Sequence, residues 1–338
     1  MTFQIRVQPS GAGFDCSETE TILEAALRQG LTMPYGCKDG VCGACKGKVL
    51  QGTVEHGAKA VSLTEQDRVN GLALYCCAKP LTDLDIECRQ ISRLGDYPVK
   101  TLPARVEKLE RRAADVMEIV LRLPASEAFR FRPGQHIDFL LKDGKRRSYS
   151  VANAPRPDNM LELHVRKVDG GAFTTQVFES LKVKDILRFE GPLGGFFLRE
   201  ESPKPVVMLA SGTGFAPIKA IVEDCLSKGM RRPVSIYWGC RKPEDLYMGE
   251  LAQQWADAHE HIRYVPVMSE AGPETGWQGR TGLVHRAVME DFPDLSGHEV
   301  YACGVPVMVE SARRDFVAER QLSEEAFFAD AFTFAAHE

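Results

Sequence analysis

The stretch GCKDGVCGAC, residues 36–45, contains three cysteines in the spacing C-x4-C-x2-C. Its glycines and Ala44 leave little side chain near the thiols, so the backbone can fold tightly around a bulky group and direct amide N–H groups at it. Cysteine thiolates are soft ligands for metal centres. A full set needs a fourth cysteine, and the adjacent Cys76 and Cys77 are the candidates.

Three kinds of site use several cysteines, and the spacing separates them. A structural zinc site uses two C-x2-4-C pairs, whereas here the second pair is absent or is the adjacent Cys76 and Cys77. Disulfides are typical of small secreted chains, and this chain is too large to need them. The spacing C-x4-C-x2-C with a later fourth cysteine is the plant-type iron-sulfur pattern, so it favours a 2Fe-2S cluster.

Composition sets the limits of the remaining interpretation. A length of 338 residues predicts two or three domains, each with its own core. The net charge of -5 argues against nucleic acid as a partner. The absence of a long apolar run argues against a membrane span. Residues 1–6 alternate like a strand and lack an apolar leader, which predicts a cytoplasmic protein.

The first 96 residues have the pattern of a small mixed sheet with one helix across it. Phe3, Ile5 and Val7 alternate, and a turn at residues 9–11 allows a hairpin. Thr21 and the glutamate three residues later have the form of a capping box that begins a short helix. The cysteine loop follows this helix.

This segment resembles a plant-type 2Fe-2S ferredoxin, which implies a β-grasp-like fold for residues 1–96. In that family the fourth ligand precedes a short Ala-x-Pro segment, which Ala78 and Pro80 match. The resemblance therefore favours Cys76, while Cys77 stays open. It implies the metal ligands Cys37, Cys42, Cys45 and Cys76.

Residues 97–102 lack periodicity and predict a linker, after which period-2 segments separated by glycine turns indicate an antiparallel barrel at 103–200. The strand at 146–150 places Arg147 and Tyr149 on one face, where a guanidinium and a ring can meet a phosphate and a flat cofactor. The alternative is an ordinary surface strand, in which Arg and Tyr are also common. The glycine turn at 170–171 precedes a helix whose N–H groups can hold a pyrophosphate.

Together these motifs resemble the flavin domain of the ferredoxin-NADP reductase superfamily. The R-x-Y-S motif matches residues 147–150, the G-x-x-[ST] loop matches 171–174, and the GPxGxF turn matches 191–196. The resemblance implies FAD, with hydride arriving near Ser150. The candidate cofactor-binding residues in this domain are Arg147, Tyr149, Ser150, Val165, Arg166, Gly170, Gly171 and Thr174.

Residues 201–338 change to buried apolar strands that alternate with helices, which predicts a doubly wound parallel sheet. The first strand ends in a glycine turn at 212–214, followed by Pro217 in the first turn of a helix. Alone, this turn is not specific. It resembles the nicotinamide-nucleotide turn of the same superfamily, and residues 303–308 resemble its C-G-x-P-x-M segment.

The resemblance implies that this region binds NADH, with NADPH possible, because Arg241 and Lys242 could accept a 2′-phosphate that Glu244 and Asp245 would oppose. The acidic-x-aromatic pattern at Asp330 implies a ring that covers the flavin, for which Phe332 and Phe334 are candidates. The implied nucleotide set is Gly212, Thr213, Gly214, Pro217, Cys303, Gly304 and Pro306. Ser150, Cys303 and Asp330 are the candidate catalytic residues.

The order of ferredoxin, flavin barrel and nucleotide domain resembles the electron-transfer reductases of multicomponent oxygenases and of hexulose dehydrases. It implies an enzyme that passes electrons from NADH through FAD and a 2Fe-2S cluster to a partner oxygenase or dehydrase, which docks at the cluster face. Two other hypotheses are a non-catalytic electron carrier and an oxidoreductase that reduces a small molecule directly.

Overall fold

A computed structural model describes residues 1–36, 38–41, 43–88, 91–93, 97–272 and 275–332. Two compact units are present. One comprises residues 1–98 with the segment that begins at Asp330, and the other comprises residues 99–329. Within the described ranges, every helix is too short or too polar to cross a membrane.

The first unit contains a five-stranded mixed sheet in the order β2-β1-β8-β4-β6. Strand β1 is antiparallel to β2 and parallel to β8, which confirms the predicted β-grasp-like fold. The strands are β1 (Thr2–Gln8), β2 (Ala12–Ser17), β3 (Leu31–Thr32), β4 (Lys46–Gln51), β5 (Val54–His56), β6 (Leu72–Leu74), β7 (Ala78–Pro80), β8 (Leu84–Glu87) and β9 (Ser92–Arg93), and the helices are α1 (Ile22–Arg28) and α2 (Glu65–Val69).

Helix α1 begins where the capping box predicts. The Glu24 N–H donates to Thr21 Oγ1 at 3.2 Å, and the Thr21 N–H donates to Glu24 Oε2 at 2.8 Å. The helix buries Ile22 and Leu23 in the same core as Ile5 of β1. This packing holds the first turn of α1 against the sheet, and the chain continues from the other end of the helix through β3 to the cysteine loop.

The second unit begins with a six-stranded antiparallel sheet in the order β13-β12-β15-β10-β11-β14. A bridge between Val151 and Leu163 joins the two edges, so the sheet closes into the predicted barrel. Its strands are β10 (Lys100–Ala113), β11 (Val116–Arg122), β12 (His136–Leu140), β13 (Arg146–Ser150), β14 (Met160–Arg166) and β15 (Ile186–Leu193), and its helix is α3 (Ala172–Glu179).

The first strand of the barrel includes residues of the predicted linker. Strand β10 starts at Lys100, which pairs with Gly191, so residues 100–102 of the predicted linker are strand. Leu102 is buried in the barrel core. Its alternation with Ala104 and Val106 carries the strand signal, which the two prolines at 98 and 103 obscure.

The second sheet of this unit has the order β19-β18-β17-β16-β20-β21, and the pairings from β19 through β20 are parallel. The chain moves outward from β16 through β19 and then returns to the other side of β16 with β20. This reversal between β16 and β20 is the position where doubly wound folds bind ligands.

The elements of this sheet are β16 (Val206–Ser211), α4 (Phe215–Ser227), β17 (Val234–Cys240), α5 (Gly249–Ala258), β18 (Ile262–Met268), β19 (Arg280–Thr281), α6 (Val284–Asp291), β20 (Glu299–Gly304), α7 (Pro306–Glu319) and β21 (Phe327–Ala331). Strand β16 is buried except for the half-exposed Ser211 at its end. The predicted parallel nucleotide-binding sheet is therefore confirmed.

Candidate functional site

The predicted cluster ligands lie in the first unit. Cys37 and Cys42 are outside the described residues. Cys45 and Cys76 are buried, and their thiols are within hydrogen-bonding reach of each other. That contact and burial raise the pKa of the Cys76 thiol, whereas the nearby Gly40 N–H opposes the rise. Two predicted ligands that are distant in sequence thus meet next to the cysteine loop.

The sulfurs of Cys76 and Cys77 are 3.6 Å apart but have different neighbours. The Cys77 sulfur packs against Gly40, where an added Cβ would lie 2.7 Å from it and would also overlap the carbonyl oxygen of Lys59. Gly40 has a φ of +74°, so glycine is required there for conformation and for space. The contact between Cys45 and Cys76 supports Cys76 as the fourth ligand.

Strand β13, which is predicted to bind the flavin, presents Arg147 and Tyr149 half-buried, and Ser150 is buried at its end. The ring of Tyr149 lies 5.8 Å from that of Phe139 and 5.6 Å from that of Phe173 in α3. Burial raises the pKa of Tyr149, and the charge of Arg147 opposes this rise. The phenol and the guanidinium are therefore close together, as the alternation of the strand predicts.

The glycine turn before α3 is held by Thr174. Its hydroxyl donates within the turn to the carbonyl of Gly171, at 3.1 Å, or of Val168, at 3.2 Å, and accepts from the Val168 N–H at 3.2 Å. No side chain caps α3 at Gly171. The N–H groups of the first turn are therefore open to an acceptor such as a phosphate, near the ring of Tyr149.

The predicted nucleotide turn and the end of β20 pack closely together. A Cβ on Gly214 would overlap the carbonyl oxygen of Cys303, and a Cβ on Gly304 would overlap the hydroxyl of Ser211. The N–H of Val305 donates to that hydroxyl at 3.0 Å. Only glycine permits this approach, so the two segments form one floor at the carboxyl ends of β16 and β20.

Arg166, at the end of β14, extends from the barrel toward this floor. Its Nη1 donates to Asp115 Oδ2 at 2.6 Å, whereas its Nε and Nη2 are buried and lack a hydrogen-bond partner among the described residues. A Cβ on Gly212 would lie 3.5 Å from Nη2. Burying guanidinium N–H groups without hydrogen-bond partners is unfavourable in free energy. Their presence here therefore indicates that an anionic ligand binds at the turn.

The loop after β17 places the carboxylate of Asp245 near the glycine turn at residues 212–214. Asp245 forms an ion pair with Arg241 at 3.4 Å, and its side chain is only 15% exposed, whereas that of Arg241 is 61% exposed. Burial and the charge of Asp245 raise the pKa of the Cys240 thiol to about 12, while Arg166 and the Gly212 N–H oppose this. Asp245 and Arg166 therefore both lie near the thiol beside the glycine turn.

A buried polar network joins the barrel to the nucleotide sheet, and the sequence interpretation missed it. Lys219 of α4 donates to Glu162 at 3.0 Å, to Glu223 at 2.8 Å and to the carbonyl of Ala152 at 3.0 Å. His164 lies 2.9 Å from Glu162 through Nε2 and 2.9 Å from the Tyr247 hydroxyl through Nδ1.

Glu162, the carboxylate at the centre of this network, is ionised at neutral pH. Burial alone would raise the pKa of Glu162, but the His164 hydrogen bond and the Lys219 charge lower it to about 2. Burial lowers the pKa of His164. The alternation of β14 places Glu162 and His164 on the face opposite the core residues Leu161, Leu163 and Val165, which is the usual pattern of a strand with one solvent-exposed face, so the pattern does not reveal that they are buried.

The remaining predicted site residues are located by the elements that contain them. Val165 is fully buried in the barrel core. Thr213 lies within the glycine turn, Pro217 lies in the first turn of α4, and Pro306 is the first residue of α7. Asp330 is in β21, Phe332 follows that strand, and Phe334 is outside the described residues.

Comparison with known proteins assigns a class to each part of the chain. Residues 5–81 match a 2Fe-2S iron-sulfur cluster binding domain, residues 103–198 an oxidoreductase FAD-binding domain, and residues 208–314 an oxidoreductase NAD-binding domain. The fold and these matches define an iron-sulfur flavoprotein oxidoreductase that uses a 2Fe-2S cluster, FAD and NAD.

Two relatives that match along nearly the whole chain identify its family. The chain is 43% identical over 332 residues to the CDP-6-deoxy-L-threo-D-glycero-4-hexulose-3-dehydrase reductase of Yersinia pestis, covering 98% of this chain and 99% of the relative. It is 37% identical over 340 residues to the aromatic O-demethylase reductase subunit of an Amycolatopsis species, covering 98% and 99%.

A solved structure agrees with these relatives. The ferredoxin reductase in carbazole 1,9a-dioxygenase is 26% identical, with a TM-score of 0.68, and the alignment covers 98% of this chain and 99% of that chain. The protein therefore belongs to the family of iron-sulfur flavoprotein reductases, in which ferredoxin, FAD-binding and NAD-binding domains form one chain.

Proposed function

We propose that this protein takes a hydride from NADH and delivers single electrons through its ferredoxin domain to a partner dehydrase or oxygenase component. The observation that carries the proposal is the pair of Arg166 nitrogens, Nε and Nη2, that are buried beside the glycine turn at the switch point of the sheet and have no hydrogen-bond partner among the described residues. A guanidinium in this setting fits the pyrophosphate of a dinucleotide.

The nucleotide-binding residues act together at the carboxyl ends of the parallel strands. The closely packed floor of Gly214, Cys303 and Gly304 lets a flat ring approach the backbone, while Arg166 and the turn at Gly212 hold the phosphates. We assign the residues predicted from the sequence to this site, with Thr213, Pro217 and Pro306 shaping the turn and the helix starts.

The flavin-binding residues lie on β13 and before α3. Arg147 provides the charge for a phosphate, Tyr149 provides a ring held by Phe139 and Phe173, and the uncapped start of α3 provides N–H donors. Ser150 is buried at the end of the strand, so its hydroxyl is protected from bulk water. We propose that it supports hydride transfer.

The cluster is proposed to be held by the four cysteines predicted from the sequence, with Cys76 as the fourth. When bound, FAD accepts two electrons as hydride and releases them singly, which a 2Fe-2S cluster requires. The roles predicted for Asp330, and for Phe332 as the ring covering the flavin, stay predictions. The domain boundaries at 96, 103 and 201 also stay predictions.

NADH is proposed as the preferred donor because of the loop after β17. A 2′-phosphate there would meet the largely buried carboxylate of Asp245, whereas a ribose 2′-hydroxyl could donate to it. Arg241 is exposed and already paired with Asp245, so it offers little compensation. Lys242 is exposed as well, and surface charges of this kind contribute little.

The partner is proposed to be a protein component of the kind that the relatives serve, docking at the face around the cysteine loop. Reductases of this family with dehydrase and oxygenase names are both similar to this chain. The higher identity to the dehydrase reductase favours a sugar dehydrase. Action in the cytoplasm is part of the same proposal.

Anaerobic stopped-flow mixing of the reconstituted protein with NADH tests the proposal. Flavin absorbance should bleach first, and the change in cluster absorbance should follow. Cluster reduction without prior flavin bleaching would contradict it, as would the absence of any reduction. Turnover of a small-molecule acceptor at full rate without a protein partner would instead support direct reduction of small molecules.

A further inference from the structure

Ser62 lies on a segment that packs against the cysteine loop. Its N–H donates to the carbonyl of Gly40 at 2.9 Å. Gly40 is also seated against the carbonyl of Lys59, so this segment and the loop touch at more than one point. The backbone of Ser62 is therefore fixed next to residues 38–41, which lie between two of the predicted ligands.

The Ser62 hydroxyl is buried and has no hydrogen-bond partner among the described residues. It faces Gly43, where an added Cβ would lie 3.5 Å from Oγ. Gly43 lies two residues before the predicted ligand Cys45. Buried hydroxyls in native proteins normally have a partner, so an unpaired one beside a cofactor loop indicates that the cofactor provides it.

We propose that the Ser62 hydroxyl donates a hydrogen bond to a sulfur of the cluster on its Gly43 side and thereby raises the reduction potential of the cluster. The inference rests on the proposed function in one respect, namely that Cys45 and Cys76 are ligands of a 2Fe-2S cluster. A thiolate or sulfide sulfur accepts such a bond. Apart from Gly43's own chain neighbours, Ser62 is the only described residue with an atom within 4 Å of a Cβ built on Gly43.

The direction of the effect follows from charge. One-electron reduction adds a negative charge to the cluster, so a donor to sulfur stabilises the reduced form more than the oxidised form. Ser62 is thus a positioning residue that sets how readily the ferredoxin domain accepts an electron. Its loss should change the potential without removing a ligand.

The experiment compares the full-length, reconstituted protein with Ser62→Ala, and also with the matched pair Ser62→Thr and Ser62→Val, which differ mainly in the hydroxyl. Ser10→Ala is a control, because the Ser10 hydroxyl donates to the carbonyl of Val7 in the turn between β1 and β2. Iron and sulfide content are measured first, and then an EPR-monitored potentiometric titration gives the midpoint potential of each variant.

The expected result is a more negative midpoint potential for Ser62→Ala than for wild type, and for Ser62→Val than for Ser62→Thr, with full iron content. Ser10→Ala should match wild type. Unchanged potentials in Ser62→Ala would overturn the proposal, and so would equal potentials in the Thr and Val pair. If Ser62→Ala does not retain iron, the Thr and Val pair decides alone.

The measurement separates this inference from the proposed function. Wild-type protein that binds no 2Fe-2S cluster on reconstitution would contradict the proposed function itself, and it would remove the acceptor on which the inference rests. Wild-type protein with a normal cluster and a potential that does not depend on Ser62 would contradict the inference alone.

Discussion

The cysteine region and the nucleotide region differ in how far along the chain their parts come from. The predicted cluster site uses one stretch, residues 36–45, and one later segment at Cys76, all within the first unit. The proposed nucleotide site combines Arg166 of β14, the turn after β16, Asp245 after β17 and Gly304 at the end of β20. The first is a local motif, whereas the second is assembled by the fold.

This difference predicts two kinds of response to mutation. A cluster ligand supplies a bond that no neighbour replaces, so its loss should remove the cofactor completely. The nucleotide site spreads its binding over several elements, so most single changes should weaken it by a limited factor. Only a change that separates its closely packed segments should abolish binding.

The largest effect is expected for Cys76→Ser, which should lose nearly all iron because the fourth thiolate is gone. Cys77→Ser is the matched control and should keep its iron, since Cys77 packs against Gly40. Iron content and visible absorbance after reconstitution provide the measurement. Loss of the cluster in Cys77→Ser with retention in Cys76→Ser would reverse the assignment.

Gly214→Ala should weaken nucleotide binding by more than about 100-fold, because separating two packed backbone segments costs at least about 3 kcal/mol. The added methyl group would overlap the Cys303 carbonyl. Isothermal titration with NAD⁺ measures the loss. Gly297→Ala, where nothing lies within 4 Å, should bind normally. Wild-type affinity in Gly214→Ala would show that the two segments are not one floor.

Glu162→Gln should lower the free energy of unfolding by about 3 kcal/mol at pH 7, because it leaves the buried charge of Lys219 with one carboxylate fewer. The pKa of Glu162 is lowered to about 2, so its stabilisation is full above its unfolded pKa and is lost as the pH falls toward 2.

The difference between wild type and Glu162→Gln should therefore shrink below about pH 4.5, the range of an unfolded glutamate. Urea unfolding at pH 7 and pH 3.5 measures it. Glu107→Gln, whose carboxylate pairs with Arg105 and Arg122 on the barrel surface, should have a smaller effect. An equal loss from both variants at pH 7 would contradict the importance of the buried network.

Arg166→Gln should weaken NAD⁺ binding about 10- to 100-fold, the effect of one or two charge-assisted hydrogen bonds to a phosphate. Arg122→Gln is the control, since Arg122 pairs with Glu107 away from the glycine turn. Titration of the oxidised protein with NAD⁺ gives both affinities. Equal affinities would mean that the Arg166 N–H groups, which lack a partner among the described residues, do not bind the nucleotide.

Asp245→Asn should give the smallest change, a relative gain of about 10-fold in affinity for 2′,5′-ADP over 5′-AMP, since one repulsive charge contributes about 1.4 kcal/mol. Both probes lack nicotinamide, so binding is measured without electron transfer. Glu244→Gln removes an exposed charge from the same loop and should leave the ratio unchanged. A similar change in both variants would indicate a general charge effect.

Sequence alone determined the three fold types and the motifs that the family comparison supports. The cysteine spacing, the R-x-Y-S strand and the glycine turn are short patterns in which each residue type reflects local chemistry. Pro98 and Pro103 favour a linker at residues 97–102, yet β10 already begins at Lys100. The strand forms because Leu102 is buried and Lys100 pairs with Gly191, which are contacts distant in sequence.

Only the tertiary structure decided which residues from separate elements meet. It placed Arg166 beside Gly212, the carbonyl of Cys303 against Gly214, and the Ser62 hydroxyl over Gly43. It also joined Lys219 to Glu162 across the barrel and the sheet. Periodicity and motif spacing report neighbours along one element, whereas these contacts arise when elements pack, so no local pattern encodes them.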